Sequence, residues 1–123
     1  MLLDSSALLA LFRQEPGAGI VAAALAACAV SAVNLAETTA KLIERGMPEA
    51  EAAGLLAGLA LPVLPFDAAE AATAGDLLGR HRGPLSLGDC ACIATARRHG
   101  LPVLTGDRIW ATLDLGVEVR LIR

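Results

Sequence analysis

The chain has 123 residues, 55% of them hydrophobic, with a mean hydropathy of +0.60 and a formal net charge of −3. That length suffices for one domain with its own core, and so large an apolar excess points to surface shared with another chain. Phe12, Phe66 and Trp110 are the only aromatics, which excludes single-strand binding on stacked aromatic platforms, and an acidic chain is a poor candidate for bulk attraction to nucleic acid.

In chain order, Met1–Asp4 reads as a short buried strand, with Ser5 and Ser6 placed to cap a helix through Phe12 or Arg13. Glu15-Pro16-Gly17 is a break, and Pro16 opens a helix over Gly17–Ala27. Cys28–Ser31 is predicted as a second strand, followed by a helix that carries Glu37, Lys41 and Arg45 and stops at Gly46. Pro48 opens a helix over Glu49–Leu61, and Pro62–Phe66 is a third strand. Asp67-x-x-Glu70 is a capping box for a helix to about Arg82; Ser86-x-x-Asp89 opens another that ends in Arg97-Arg98-His99-Gly100. Leu101–Thr105 is a strand, Asp107–Leu113 a short helix, and Val117–Ile122 alternates as a final strand. Strands separated by helices imply a mostly parallel sheet with helices on both faces, an α/β fold of three layers. No linker or repeat interrupts it, so the expectation is one domain over residues 1–123.

Cys28, Cys90 and Cys92 are an odd count without zinc-type spacing, as expected of buried reduced thiols. Pro16 to Ala36 carries no charge, but Ala, Gly, Ser31 and Asn34 make it too weakly apolar for a membrane span. Met1-Leu2-Leu3-Asp4 lacks the basic start of a signal peptide, so a cytoplasmic location is expected.

Four acidic residues stand at element junctions: Asp4 after Met1-Leu2-Leu3, Glu37 after Ser31-Ala-Val-Asn-Leu-Ala, Asp89 after Leu85-Ser-Leu-Gly, and Asp107 after Pro102-Val-Leu-Thr-Gly. In a fold of alternating strands and helices the strand ends converge on one edge, where ligands bind. Acidic groups gathered there repel unless a cation sits among them, and a hard divalent ion with oxygen ligands suits them. Setting these four aside leaves 10 basic against 9 acidic residues, so the net charge does not decide the partner. Each has a structural rival. Asp89 fits the capping box, Asp107 an N-cap, and Glu37 either a cap pair with Asn34 or a surface pair with Lys41. Asp4 is expected to have little structural use, and a buried carboxylate needs a partner or a metal. Thr105, Ser5 and Ser6 are candidates to hydrogen-bond a carboxylate or a metal-bound water. His81 and His99 lie among arginines near helix C-termini, where cations complement the helix dipole.

At these residues the sequence resembles the PIN-domain ribonucleases, most closely the VapC toxins of type II toxin–antitoxin pairs. The matching stretches are Leu3-Asp4-Ser5-Ser6-Ala7-Leu8-Leu9-Ala10, Ser31 to Glu37, Leu85 to Cys90, and Leu101 to Trp110. They cover essentially the whole chain in order, and four together are specific. The resemblance implies a PIN-like α/β/α domain in which Asp4, Glu37, Asp89 and Asp107 are the acidic metal-binding and catalytic residues. Thr105, Ser5 and Ser6 would be the supporting hydroxyls. It implies Mg2+- or Mn2+-dependent RNA cleavage, a homodimer and a cognate antitoxin. A haloacid-dehalogenase-type phosphatase wants a second Asp where Ser6 stands; a response-regulator receiver wants a late Lys, and Lys41 is the only one. A catalytically silent PIN-like binding module is the alternative from a different class.

Overall fold

In a computed structural model covering residues 1–123, five short strands form the centre of the molecule. They are β1 (Leu2–Leu3), β2 (Ala29–Ser31), β3 (Val63–Leu64), β4 (Val103–Thr105) and β5 (Val119–Leu121). They lie in the order β3-β2-β1-β4-β5, and every neighbouring pair is parallel, so the sheet is wholly rather than mostly parallel. Leu2 aligns with Ala29 on one side and Val103 on the other, and Leu3 with Val30 and Leu104.

The helices are α1 (Ser5–Arg13), α2 (Ala18–Ala24), α3 (Ala32–Glu44), α4 (Glu49–Gly58), α5 (Ala68–Arg80) and α6 (Leu87–His99). Short 3-10 turns over Leu25–Ala27 and Arg108–Thr112 complete the chain. Strands and several helices are shorter than expected by a few residues at their ends. Ala60, for instance, takes φ 51 after α4, turning the chain before Pro62 and ending the helix ahead of Leu61.

Successive strand residues point to opposite faces, and each face of this sheet has its own core. Leu2 and Val103 join Leu77, Cys90, Ile93 and Trp110 in a cluster with α5 and α6. Leu3, Val30 and Leu104 join Leu8, Val21 and Ile122 in a second cluster with α1 and α2. Burial on both faces explains why β1 and the start of β4 read as unbroken apolar runs, whereas the partly exposed β5 alternates.

The chain steps outward from β1 to β3, then crosses back to lay β4 against the other side of β1. The reversal makes the crevice at the carboxyl ends of β1 and β4 the natural ligand-binding place of such a sheet. The uncharged Pro16–Ala36 stretch is divided among α2, the first 3-10 turn, β2 and the start of α3. No single helix is long and apolar enough to cross a membrane, and the one pair with enough combined length, Ser5–Arg13 with Ala18–Ala27, is bent by 108°. All three cysteines are free and buried.

Candidate carboxylate site

Asp4 follows β1 directly and is only 3% exposed. Contrary to the expectation that it lacks a structural use, it is the N-cap of α1, the place assigned from sequence to Ser5 and Ser6. Its carboxylate accepts from Ala7 N at 2.9 Å, Ser6 Oγ at 2.7 Å and Thr105 Oγ1 at 2.7 Å. Burial nevertheless dominates and pushes its carboxyl up to about 6, against the lowering by these hydrogen bonds and with added repulsion from Asp89.

The strand end across the switch point supplies the other half of this arrangement. Thr105 Oγ1 accepts from Asp107 N at 3.0 Å while donating to Asp4, and Ser6 Oγ accepts from Gly106 N at 2.8 Å. Asp107 caps the 3-10 turn by accepting from Ile109 N at 3.0 Å, and the wholly buried Trp110 anchors that turn in the core. Ser6 and Thr105 thus tie β1 and β4 together through the carboxylate of Asp4. Ser5 does not share this work. It hydrogen-bonds to Asn34, accepting from Nδ2 at 3.3 Å and donating to the backbone O at 3.4 Å, and none of the four carboxylates receives its hydroxyl.

Asp89 sits at the first turn of α6, and its capping box with Ser86 is complete: Ser86 N donates to Asp89 Oδ2 at 2.9 Å and Asp89 N to Ser86 Oγ at 3.1 Å. Its carboxyl is raised, first by burial and then by repulsion from Glu37 and Asp107, with Ser86 pulling the other way. Glu37 lies one turn into α3, 3.9 Å from Lys41 Nζ in a half-exposed pair. Of the two structural rivals for Glu37 the cap pair with Asn34 is not formed; Ser31 caps α3 by accepting from Asn34 N at 3.1 Å.

Two residues that sequence reasoning did not place in the site contact the elements that carry it. Asn34 is 1% exposed; its amide donates to Ser5 Oγ and, at 3.2 Å, to the backbone O of Gly88. Gly88 in turn lies directly under the Glu37 carboxylate, so close that a Cβ there would be 2.9 Å from Glu37 Cδ. Both contacts span more than 50 residues, and no local motif signals them.

Asp89 links the four by charge, repelling Asp4 and being repelled by Glu37 and Asp107, yet no three acidic side chains close on a common point as a ready-made cluster. Cys92 lies in the same field. Its fully buried thiol is raised well above its ordinary value, by burial first and then by Asp4, Asp89 and Glu37. Cys90 is pushed up to about 11 by burial and by Asp89. Both thiols are protonated at neutral pH and offer neither nucleophile nor ligand. His81 ends α5 and His99 ends α6, and neither hydrogen-bonds to these carboxylates. Oxygen donors that repel one another suit a hard divalent ion. Mg2+ takes one or two carboxylates directly and completes its shell with water, so a donor set that is not fully converged fits it.

The PIN domain family model matches residues 1–115. Ribonuclease VapC36 of Mycobacterium tuberculosis is 36% identical to this chain, over 94% of it and 91% of the relative, as is a VapC ribonuclease of Mycobacterium bovis. Among solved structures, DNA-bound VapBC from Salmonella typhimurium has a TM-score of 0.76 at 19% identity, covering 99% of this chain and 97% of that one. A toxin–antitoxin complex from Klebsiella pneumoniae has a TM-score of 0.74 at 20% identity, with the same coverage of both chains. At those identities the structures speak for the fold.

Proposed function

The chain belongs to the PIN-domain family, and we propose that it is a VapC-type endoribonuclease. In this reading it is the toxin of a type II toxin–antitoxin pair and acts in the cytoplasm at a divalent-metal site built on Asp4, Glu37, Asp89 and Asp107. One observation supports the reading: the buried Asp4, with no cation beside it, is repelled by Asp89, which is repelled in turn by Glu37 and Asp107.

A bound Mg2+ or Mn2+ supplies orientation of the scissile phosphate, a water of lowered pKa and screening of charge on the leaving oxygen. Asp4 and Asp89 would be the ion's nearest ligands, and Glu37 and Asp107 would hold it directly or through water. Thr105 and Ser6 fix the orientation of Asp4. Hydrolysis adds water across a P–O bond: oxygen joins phosphorus, and a proton ends on the leaving oxygen.

The partners in this reading are RNA, a cognate antitoxin and a second copy of the chain. An apolar groove of about 340 Å³ between α3, α4 and the β3 edge, lined by Leu35, Leu56, Leu61 and Val63 among others, supports association with another protein. A Cβ added at Gly54 or Gly58 of α4 would meet nothing within 4 Å, so close packing within the monomer does not require glycine at either position. The alternative is a catalytically silent binding module, which a lost acidic ligand would favour; all four acidic residues are present. Incubating the purified protein with an RNA pool, in Mg2+ or Mn2+ and in chelator, separates the two. Metal-dependent cleavage supports the nuclease, and binding without cleavage supports the module.

A further inference from the structure

Gly88 is the second residue of α6, buried, and of ordinary helical conformation, since its φ is not among the positive ones. Nothing in the backbone demands glycine there. What demands it is space: the Glu37 carboxylate occupies the place a Cβ would take, with Oε1 at 3.1 Å from that position and Oε2 closer still. Asn34 fastens the same spot from the other side. One turn ahead of Glu37 on α3, its buried amide joins the α6 backbone at Gly88 O to Ser5, the residue after Asp4. One polar link thus spans the starts of three helices that each carry or adjoin a carboxylate of the site.

We propose that Gly88 and Asn34 are positioning residues: the missing side chain at Gly88 gives the Glu37 carboxylate its seat beside Asp89, and Asn34 holds α6 in register with Asp4. The inference rests on the metal-site reading above. A carboxylate is the far end of a flexible side chain, so Gly88→Ala shifts Glu37 rather than breaking the helix, and alanine is the better helix former. The variant separates the seat of Glu37 from the stability of the fold. Asn34→Ala removes the Gly88 tie and acts on the same carboxylates through α6.

The test is a cycle of Gly88→Ala, Glu37→Ala and the double variant, with Gly75→Ala as control, because a Cβ at Gly75 meets nothing within 4 Å. Two quantities are read: the apparent Mn2+ affinity from melting-temperature shifts, and the rate of RNA cleavage. Gly88→Ala is expected to weaken Mn2+ binding and cleavage by about ten- to a hundredfold, the usual scale for groups that orient ligands, without lowering the melting temperature in chelator. The double variant is expected to be no worse than Glu37→Ala alone, and Gly75→Ala to match wild type. If Gly88→Ala fails to fold while the double variant folds, the Gly88–Glu37 contact is again supported. Wild-type metal response and cleavage in Gly88→Ala, or losses that multiply in the double variant, overturn the inference and leave the metal-site reading standing. Wild type that neither responds to Mn2+ nor cleaves overturns the reading itself, and the inference with it.

Discussion

Thr105 Oγ1 donates to Asp4 Oδ2 at 2.7 Å across 101 residues of sequence, joining the ends of the two strands that flank the switch point. The same hydroxyl accepts from Asp107 N, so one side chain sets the place of two of the four carboxylates. Thr105→Val keeps the shape and deletes the hydroxyl. It is expected to cost about 1–3 kcal/mol of stability, the scale for leaving buried polar partners unpaired, and to slow RNA cleavage at least about tenfold. Thr105→Ser should restore most of both. Denaturant unfolding and cleavage assays on the pair check this, and equal loss in the two variants counts against the hydroxyl.

The buried Asp4 gives the apo protein a definite pH dependence. Its carboxyl stands at about 6 in the folded chain against 3.8 as reference. Between these values the unfolded chain has lost the proton and the folded chain keeps it, so this group's contribution falls as pH rises through the window and is level above it. The loss amounts to roughly 3 kcal/mol from pH 3 to 7. Unfolding in chelator at several pH values should show it in wild type and not in Asp4→Asn. A wild type minus variant difference that does not change with pH contradicts the account.

Asp89 tests repulsion against capping. Asp89→Asn keeps an oxygen that can accept from Ser86 N but removes the charge that Glu37 and Asp107 repel. The apo variant should be as stable as wild type or more so. Its response to Mn2+, about 2.7 kcal/mol in wild type at a hundredfold excess over the dissociation constant, should be blunted. Equal destabilisation with and without Mn2+, and an unchanged response, would make Asp89 a cap and nothing more.

Much of this was legible locally. The Asp67–Glu70 and Ser86–Asp89 capping boxes, the Asp107 cap and the strand-helix order all rest on cues within a few residues, and the structure has them. Asp4 shows the limit. An acidic residue after three apolar ones looked unemployed because two of its partners, Ser6 and Thr105, reveal their roles only once β4 lies beside β1. Asn34 and Gly88 escaped for the same reason. An Asn near a helix start has several local uses, and a Gly before an Asp looks like a turn residue until Glu37 is seen lying on it.

Glu70 offers a contrast outside the site. It is 2% exposed, and its carboxylate accepts from Arg98 at 3.0 Å and from Asp67 N at 3.2 Å. Arg98→Ala leaves a buried charge without its cation and is expected to cost about 1–3 kcal/mol. Because α6 meets the carboxylates at its other end, the Mn2+ shift should match wild type. A lost metal response in this variant would mean that the site depends on general stability.

The most direct test compares wild type and Asp4→Asn on one RNA substrate, in Mn2+ and in excess chelator, with circular dichroism to show that both are folded. Wild type is expected to cleave in metal and stop in chelator, and folded Asp4→Asn to be slower by orders of magnitude in metal. Full activity in the variant, or in wild type with chelator, would contradict a nuclease that works through these carboxylates.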